Sequence, residues 1–406
     1  MFGVVCFLRA LDGEGGGKPR LQSTQQDPFI FLAEQQNDKG HSLFYLTISN
    51  GRTEVAEWLL EKKSPSLFVD APFTGDNDEK KRPLELAAEE GDEDMVRLLV
   101  KNSADVNIKD DYGYPLLHHA VVRSDESMAS LLMKKGADVN IKDDDGSPPI
   151  YHAVRRSDES MVHFLLNHGA DINLQNKSGE SPLYCAAHAG NESMVRFLVK
   201  KGADVNLQDR WGDVPLSFLA AKKCYENTAR YLVENGADVN LQNISGSPPL
   251  FEALMKENTG LASFLVERGA DVNARDRARC SLLLNLVIRD KDSMAHFLVE
   301  HGADINVQNV ERLSPLSRTA QDGRENMARY FVVNGADVNL QDNNGHAPLH
   351  WTAIRGHKNV ARLLLEKGAS VDLQDMQGRT PLDLAAEQRH ESVVDLLRNW
   401  NTGSND

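Results

Sequence analysis

Two features of the sequence could carry chemistry, a glycine-rich segment and a pair of histidines, and neither has the accompanying residues that its chemistry needs. The segment GEGGGKPR resembles a phosphate-binding loop, but no glycine stands five residues before Gly17 and Pro19 replaces the magnesium-binding Ser or Thr. Among the 13 histidines, His346 and His350 are four residues apart. No GxSxG, HExxH, DxDxDG or paired zinc-knuckle spacing occurs. The sequence therefore predicts no catalytic residue, no cofactor and no metal site, and a protein that is not an enzyme.

Composition and charge exclude several classes of protein. The chain of 406 residues is 41% hydrophobic, and its net charge of -15 argues against general binding of nucleic acid or anionic membrane. Cys6, Cys185, Cys224 and Cys280 are scattered, which predicts reduced thiols rather than disulfides. No apolar run approaches the ~18 residues that span a bilayer, and no basic residue precedes the short apolar start. We expect a cytoplasmic or nuclear protein.

A short motif recurs along most of the chain. Gly-Ala-Asp, followed by Val or Ile and then Asn, has its glycine at 136, 169, 202, 236, 269, 302 and 335, a spacing of 33 with one interval of 34. A second motif keeps the same step: an Asp or Asn, commonly a Gly three residues later, and then an apolar or Pro-Leu pair. Its first residues are Asn77, Asp110, Asp143, Asn176, Asp209, Asn243, Asp276, Asn309, Asp342 and Asp375. A period of this length predicts a stack of small repeated units.

The copy near the C-terminus shows what each unit should form. Asp342 to Gly345 predicts a turn, because Asp accepts backbone hydrogen bonds and Gly tolerates positive φ. Pro348 suits the first position of a short helix, and Val360 with residues 363–365 gives the apolar face of a second helix. Gly368 should end that second helix. Each unit is thus a turn and two antiparallel helices, which bury their faces only by stacking.

These features resemble the ankyrin repeat, whose TPLHxA motif appears as APLHWTA (347–353) and TPLDLAA (380–386), and more loosely as SPLYCAA (181–187) and SPPLFEA (247–253). The resemblance covers about residues 37–400 and about eleven units. It implies an all-α, elongated and curved solenoid with hairpin-like loops along one edge. It also implies a structural hydrogen-bonding role for His350, which stands at the motif's histidine.

Departures from the repeat predict the domain organisation. We expect a mostly disordered tail at 1–36, a degenerate capping repeat with an inserted loop at 37–76, nine regular repeats at 77–376, and a C-terminal capping repeat with a short tail at 377–406. Arg279 and Arg312 replace the turn glycine, and Leu282 replaces the helix-opening proline. Residues 276–343 should therefore be the most irregular part of the stack.

A set of basic residues follows the first helix of several units, at positions that line the concave groove in the ankyrin family. Its members are Arg123, Arg155, Arg156, Lys222, Lys223, Lys256, Arg289 and Arg355. They predict a basic stripe that binds an acidic partner. The alternative is local: cations complement the end of a helix, and acids at the start of the next helix, such as Asp158 and Glu226, neutralise them.

The turn tips form a second candidate surface. Tyr112 and Trp211 are its best anchors, and Tyr114, Arg210, Ile244, Asn344 and Met376 lie at comparable places. The alternative is that the two aromatic rings fold back onto a neighbouring loop.

A third candidate site is covalent. Each DVN or DIN segment has its Asn eight residues after a Leu, a form that resembles ankyrin-repeat substrates of an oxygen-dependent asparaginyl hydroxylase. The candidates are Asn107, Asn140, Asn173, Asn206, Asn240, Asn273 and Asn306. The alternative is that Asn only satisfies backbone groups of the turn.

The sequence therefore predicts a non-enzymatic scaffold or adaptor that binds a protein or peptide, acidic in the groove version, and no nucleic acid or membrane. We expect a monomer. The alternative is a substrate-recognition subunit of a larger assembly such as a ubiquitin ligase.

Overall fold

The computed structural model describes residues 42–61, 69, 73–74, 80–222 and 225–401. The chain forms two compact units, Met1–Ala189 and Gly190–Asp406. Within the described ranges, 22 helices follow one another in chain order as eleven pairs. This confirms the predicted all-α repeat class of about eleven helical units. The predicted tail and most of the predicted inserted loop lie outside the described residues, and the domain boundaries remain predictions.

The first unit contains nine described helices and a small hairpin. In the hairpin, β1 (Phe73–Thr74) lies in the segment predicted to hold an inserted loop and pairs antiparallel with β2 (Lys80–Lys81), with Phe73 opposite Lys81. The helices are α1 (Leu43–Ser49), α2 (Thr53–Glu61), α3 (Pro83–Glu90), α4 (Glu93–Lys101), α5 (Leu116–Val122), α6 (Glu126–Lys134), α7 (Pro149–Arg155), α8 (Glu159–Asn167) and α9 (Pro182–His188).

The second unit contains thirteen helices in its described part. They are α10 (Glu192–Lys200), α11 (Pro215–Ala220), α12 (Glu226–Glu234), α13 (Pro249–Met255), α14 (Thr259–Glu267), α15 (Leu282–Ile288), α16 (Asp292–Glu300), α17 (Pro315–Asp322), α18 (Glu325–Val333), α19 (Pro348–Arg355), α20 (Lys358–Glu366), α21 (Pro381–Glu387) and α22 (Glu391–Asn401).

Capping residues set where the helices begin and end. At the start of α9, the Ser181 hydroxyl accepts a hydrogen bond from the Tyr184 backbone nitrogen at 3.1 Å, and Pro182 occupies the first helical position. At the start of α8, Asp158 accepts from the Met161 nitrogen at 3.0 Å. After α6, Gly136 adopts φ +99°, a left-handed conformation that ends the helix at little steric cost.

Small and branched apolar residues form the core between successive pairs. In the second unit α19 packs between α17 and α21, and Ala320 and Ala353 are fully buried at those contacts. Leu364 on α20 is also fully buried. Alanine allows neighbouring first helices to approach closely, and leucine fills the space behind them. A single helix pair of a repeat protein has too small a core to be stable alone, so the apolar faces are buried by stacking neighbouring pairs.

The turns between pairs share one hydrogen-bonding pattern. Oδ1 of Asp342 accepts from the backbone nitrogens of Asn344 (2.8 Å) and His346 (2.9 Å). The Asn344 carbonyl in turn accepts from the Met376 nitrogen at 2.9 Å, which joins this turn to the next one. The turn tips of neighbouring repeats are therefore tied by backbone bonds.

The expectation that residues 276–343 are the most irregular is wrong for the turns. Asp276 and Asn309 keep the same carboxyl- or amide-to-backbone bonds, to the nitrogens of Cys280 and Leu313 at 2.9 Å. Arg279 and Arg312 adopt φ +58° and +57°, the conformation that the missing glycines would have taken. The turn is retained because its hydrogen bonds outweigh the strain of placing a side chain there.

In the described part of the chain, no helix has the length and apolar character that crossing a bilayer requires.

Candidate protein-binding surface

The predicted cations of the first unit lie at the ends of first helices. Arg123 and Arg156 are the residues that cap α5 and α7, and Arg155 is the last residue of α7. The Arg156 backbone nitrogen still donates to the His152 carbonyl at 3.1 Å, so the backbone ends the helix while the side chain points out. All three side chains are exposed. Arg123 donates to the Glu89 carbonyl. None of the three has an ion pair within 4.0 Å in the described ranges.

The cations of the second unit take the same place. Lys222, Lys256, Arg289 and Arg355 follow or end first helices and are exposed. None has a carboxylate within 4.0 Å among the residues that the structure places. Lys222 extends along the Phe218 ring, with its nitrogen 5.9 Å from the ring centroid. Lys223 lies outside the described residues.

Three of the acids that begin second helices pair with cations other than those of the stripe. Glu192, Glu226 and Glu325 pair with Arg196 (2.7 Å), Arg230 (2.7 Å) and Arg329 (3.1 Å), one turn further along the same helices. Each pair sits on a second helix, where the (i, i+4) spacing brings the two groups together. These acids therefore do not provide the local neutralisation of the stripe that the sequence offered as its alternative.

One half-buried acid, Glu252, interacts electrostatically with two cations of the stripe. Glu252 lies on α13, and burial raises the pKa of its carboxyl, an effect to which the Asp213 carboxylate adds. The positive charges of Lys256 and Arg289 act in the opposite direction. The interaction is long-range, since neither cation lies within 4.0 Å of that carboxylate. Both cations keep their exposed donors.

Arg155 also lines a cleft of about 380 Å³ between α7 and α9, inside the first unit. Tyr151, Tyr184 and His188 line the same cleft. The Tyr151 hydroxyl donates to a Glu180 carboxylate oxygen at 2.7 Å, which fixes the ring at the cleft wall. The cleft thus combines aromatic surface with a guanidinium that has no ion pair within 4.0 Å among the placed residues, a combination typical of side-chain recognition.

Burial keeps two titratable groups of this cleft in their neutral form. Burial raises the pKa of the Cys185 thiol to about 11, so it is protonated at neutral pH and weakly nucleophilic. Burial also raises the pKa of Tyr151. Both groups can donate or accept hydrogen bonds, and neither is ionised.

The turn tips present apolar side chains to solvent. Tyr112 is 69% exposed and Trp211 is 42% exposed. The Arg210 guanidinium lies 4.1 Å from the Trp211 ring centroid and covers one of its faces. Tyr114 instead folds back and stacks on His118 at 4.3 Å. Ile244 and Met376 are exposed, as is Val310, which sequence reasoning missed although it occupies the same turn position.

Most of the candidate hydroxylation residues form side-chain hydrogen bonds to the backbone of the next repeat. Asn107 Oδ1 accepts from the Asp138 nitrogen at 2.9 Å, and its Nδ2 donates to the Gly136 carbonyl at 3.2 Å. The same two bonds are made by Asn140, Asn206 and Asn240.

The other candidates bond differently. The side chains of Asn273 and Asn306 accept from the backbone nitrogens of Asp304 and Asp337. Asn173 donates through its own backbone nitrogen to the Asp171 carboxylate. The side chains do satisfy turn backbone, mainly in the following repeat. Hydroxylation stays a prediction.

Sequence reasoning also missed the one group of side chains in the described ranges that could hold a metal. It considered His346 and His350, whose ring centroids are 5.8 Å apart. The structure brings His118, Asp143 and His152 together instead, with ligand atoms within 4.8 Å of one another. The available signal was the repeat period. It makes His152 the equivalent of His119, which is the neighbour of His118 in the preceding repeat.

A family model described as "Ankyrin repeats (3 copies)" matches residues 26–110, 84–176, 117–209, 150–243, 217–309, 283–375 and 316–405. No curated protein matches the chain.

Proposed function

The chain belongs to the ankyrin-repeat family, and we propose that it is a non-enzymatic scaffold that holds an acidic segment of a partner protein at the ends of its first helices. Ankyrin repeats generally mediate protein–protein interaction, and the family is typically non-enzymatic. The family alone does not specify which surface binds or which partner is held, so the proposal rests on the geometry of the exposed cations.

The observation that carries the proposal is a group of exposed cations at the ends of first helices. In the described part of the chain, seven of them have no carboxylate within 4.0 Å: Arg123, Arg155, Arg156, Lys222, Lys256, Arg289 and Arg355. Other cations are paired, such as Arg196 and Arg230 on second helices and Arg324 after α17. Lys134 and Lys135 at the end of α6 have no such pair either, so the position at the first helices, beside the cleft at Arg155, is what distinguishes the proposed surface. In a chain of net charge -15, cations without a short-range carboxylate partner are the groups that a partner carboxylate can reach without displacing an existing pair.

The cleft beside Arg155 supports the same surface. A carboxylate placed against the guanidinium would lie next to the Tyr151 and Tyr184 rings, where partial exclusion of water strengthens a charged hydrogen bond. We therefore expect Arg155 to be the strongest single contact in the first unit.

Charge reversal with a matched control tests the proposal. Arg155→Glu/Arg156→Glu changes two adjacent exposed cations at a first helix, and Lys134→Glu/Lys135→Glu makes the same change at the end of second helix α6. A fluorescein-labelled Glu/Asp-rich peptide containing one Tyr is titrated with each protein at low and moderate salt. We expect the first variant to lose at least tenfold in affinity, and the control to bind like the wild type.

A second arm uses the native cell. Cross-linking mass spectrometry should place partner peptides next to Arg155 or Arg289, and those links should disappear in the reversed variants. Equal peptide affinity in the two double variants, or no binding by the wild type, would contradict the acidic-partner proposal.

A further inference from the structure

Three side chains from two neighbouring repeats converge inside the first unit. His118 lies on α5 and His152 on α7, and their ring centroids are 3.9 Å apart with the planes nearly perpendicular. Asp143 is the first residue of the turn before α7. One ligand atom from each of the three lies within 4.8 Å of the other two. Two imidazoles and one carboxylate are a donor set that suits zinc and similar cations.

The Asp143–His152 contact by itself indicates no ligand. Nε2 of His152 lies 2.8 Å from Oδ2 of Asp143, and the equivalent pair one repeat earlier, His119 and Asp110, lies 2.9 Å apart. In the second unit, Asn285 bonds to Asp276 from the same position at 2.9 Å. This bond is a regular feature of the repeat, so the distinguishing residue must be His118.

His118 is a buried imidazole that the repeat leaves unsatisfied. The side chain is 8% exposed, and its Nδ1 has no hydrogen-bond partner among the described residues. At the equivalent His350, Nδ1 accepts from the Ala347 backbone nitrogen at 3.2 Å. Pro115 occupies that place before His118 and has no N–H to donate. Because a buried polar atom without a partner is costly, His118 would gain from a ligand and would break no side-chain hydrogen bond to take one.

Electrostatics prepares both rings for a cation. Burial, together with the neighbouring His152 and His119, lowers the pKa of His118 to about 3. Burial also lowers the pKa of His152, against the opposing effect of Asp143. Of the other charged groups, Asp145 and Arg155 lie near His152, and their effects on a bound cation have opposite signs.

We propose that His118, His152 and Asp143 bind one divalent transition-metal cation, with Zn²⁺ as the best match, and so join the repeats that carry α5 and α7. Zinc bonds of about 2.0–2.2 Å place tetrahedral ligands about 3.3 Å apart, so the 2.8 Å contact between His152 and Asp143 must open by about half an ångström. His152 would give up its hydrogen bond to Asp143 and coordinate through the same nitrogen. Water would take the fourth position.

Matched asparagine substitutions test the site. Asn285 shows that asparagine keeps the bond to the turn aspartate, so His152→Asn should fold while losing a metal ligand. His119→Asn is the same change at the equivalent position and leaves the three ligands in place. His118→Tyr is a third variant, because Tyr151 and Tyr184 occupy its position in the next two repeats.

The full chain is stripped with EDTA and titrated with ZnCl₂ by calorimetry, with Co²⁺ absorption as a second reading. We expect one equivalent bound, a rise in Tm, and a four-coordinate Co²⁺ band without thiolate charge transfer in the wild type and in His119→Asn. His152→Asn and His118→Tyr should lose at least tenfold in affinity and the Tm rise. Absence of binding in the wild type, or equal binding by His152→Asn and His119→Asn, would overturn the proposal.

Discussion

Asn206 accepts a hydrogen bond through Oδ1 from the backbone nitrogen of Asp238 at 2.8 Å, 32 residues further along the chain. Its Nδ2 donates to the Gly236 carbonyl at 3.1 Å. One side chain thus satisfies a donor and an acceptor of the following turn, where the chain leaves the second helix α12. The asparagine that ends each repeat motif is therefore a connector between neighbouring repeats of the second unit.

Removing that connector should destabilise the second unit. Asn206→Ala deletes both bonds, and because they are exposed and water can replace them, we expect a loss of about 1 kcal/mol in the free energy of unfolding. Asn235→Ala is the control, since Nδ2 of Asn235 bonds only to the Tyr231 carbonyl within its own repeat. Urea unfolding followed by circular dichroism measures both. Equal losses in the two variants would refute the connecting role.

The rate of hydroxylation should fall as the number of side-chain hydrogen bonds that hold each asparagine rises. Asn206 and Asn240 make two side-chain bonds to the next repeat, whereas in the described ranges Asn273 and Asn306 make one. A hydroxylase must extract the side chain from its turn, so Asn273 and Asn306 should gain one oxygen atom faster. Peptide mass spectrometry after timed incubation with an asparaginyl hydroxylase gives the order. Faster modification of Asn206 and Asn240 would show that these bonds do not control access.

The two turn arginines should be replaceable by glycine with a gain in stability. Arg279 and Arg312 hold positive φ, which costs a residue with a Cβ of order 1–3 kcal/mol, while glycine carries an entropic cost of about 0.5–1 kcal/mol. We expect Arg279→Gly/Arg312→Gly to gain about 1 kcal/mol. Arg277→Gly, in the same turn but without positive φ, should gain nothing. Differential scanning calorimetry would decide, and a lower Tm for the double variant would show that the arginine side chains themselves stabilise the turns.

Glu85 should contribute a loss of stability to the first unit as pH rises from 4.5 to 7. Its pKa is raised from 4.5 to about 7, chiefly by burial, with Glu89 and Asp110 acting in the same direction against a backbone bond from Arg82. Between these values Glu85 binds more protons in the folded chain than in the unfolded chain, so at this residue raising the pH favours unfolding. Glu85→Gln should therefore stabilise by about 2 kcal/mol at pH 8 and much less at pH 5.

The control for that experiment is Glu90→Gln, the same chemical change on an exposed residue of the same helix. Urea midpoints at pH 5 and pH 8 are compared for both variants. A benefit of Glu85→Gln that is the same at both pH values would mean that the carboxyl does not titrate in this range.

Several parts of the candidate surface could be read from the sequence. The exposed positions of Arg155, Arg156 and Tyr112 follow from their place in the period. The pairing of Glu226 could not be read so simply, because Glu226 had two possible partners. It could pair with the preceding cations or with Arg230 one turn ahead, and helix geometry favours Arg230. The cleft beside Arg155 also escaped prediction, since its walls belong to two repeats.

The sequence by itself determined the repeat, the helix pairs and the turns. These depend on residues within a few positions of each other: Ser181 caps the helix that Pro182 begins, and Asp342 holds its own turn. Even the turn that contains Arg279 keeps the shape of the repeat, because Asp276 still accepts a hydrogen bond from the turn backbone at the Cys280 nitrogen. Local hydrogen bonds and backbone preferences are encoded in contiguous residues, so a pattern of period 33 is enough to place them.

Only the tertiary structure decided which side chains meet across repeats. His118 approaches His152 because α5 packs on α7, and His118 lacks a donor because Pro115 lies at its helix start. Asn206 reaches Asp238 for the same reason of stacking. Such contacts depend on the offset and rotation between neighbouring units, which the spacing of residues along one chain does not specify.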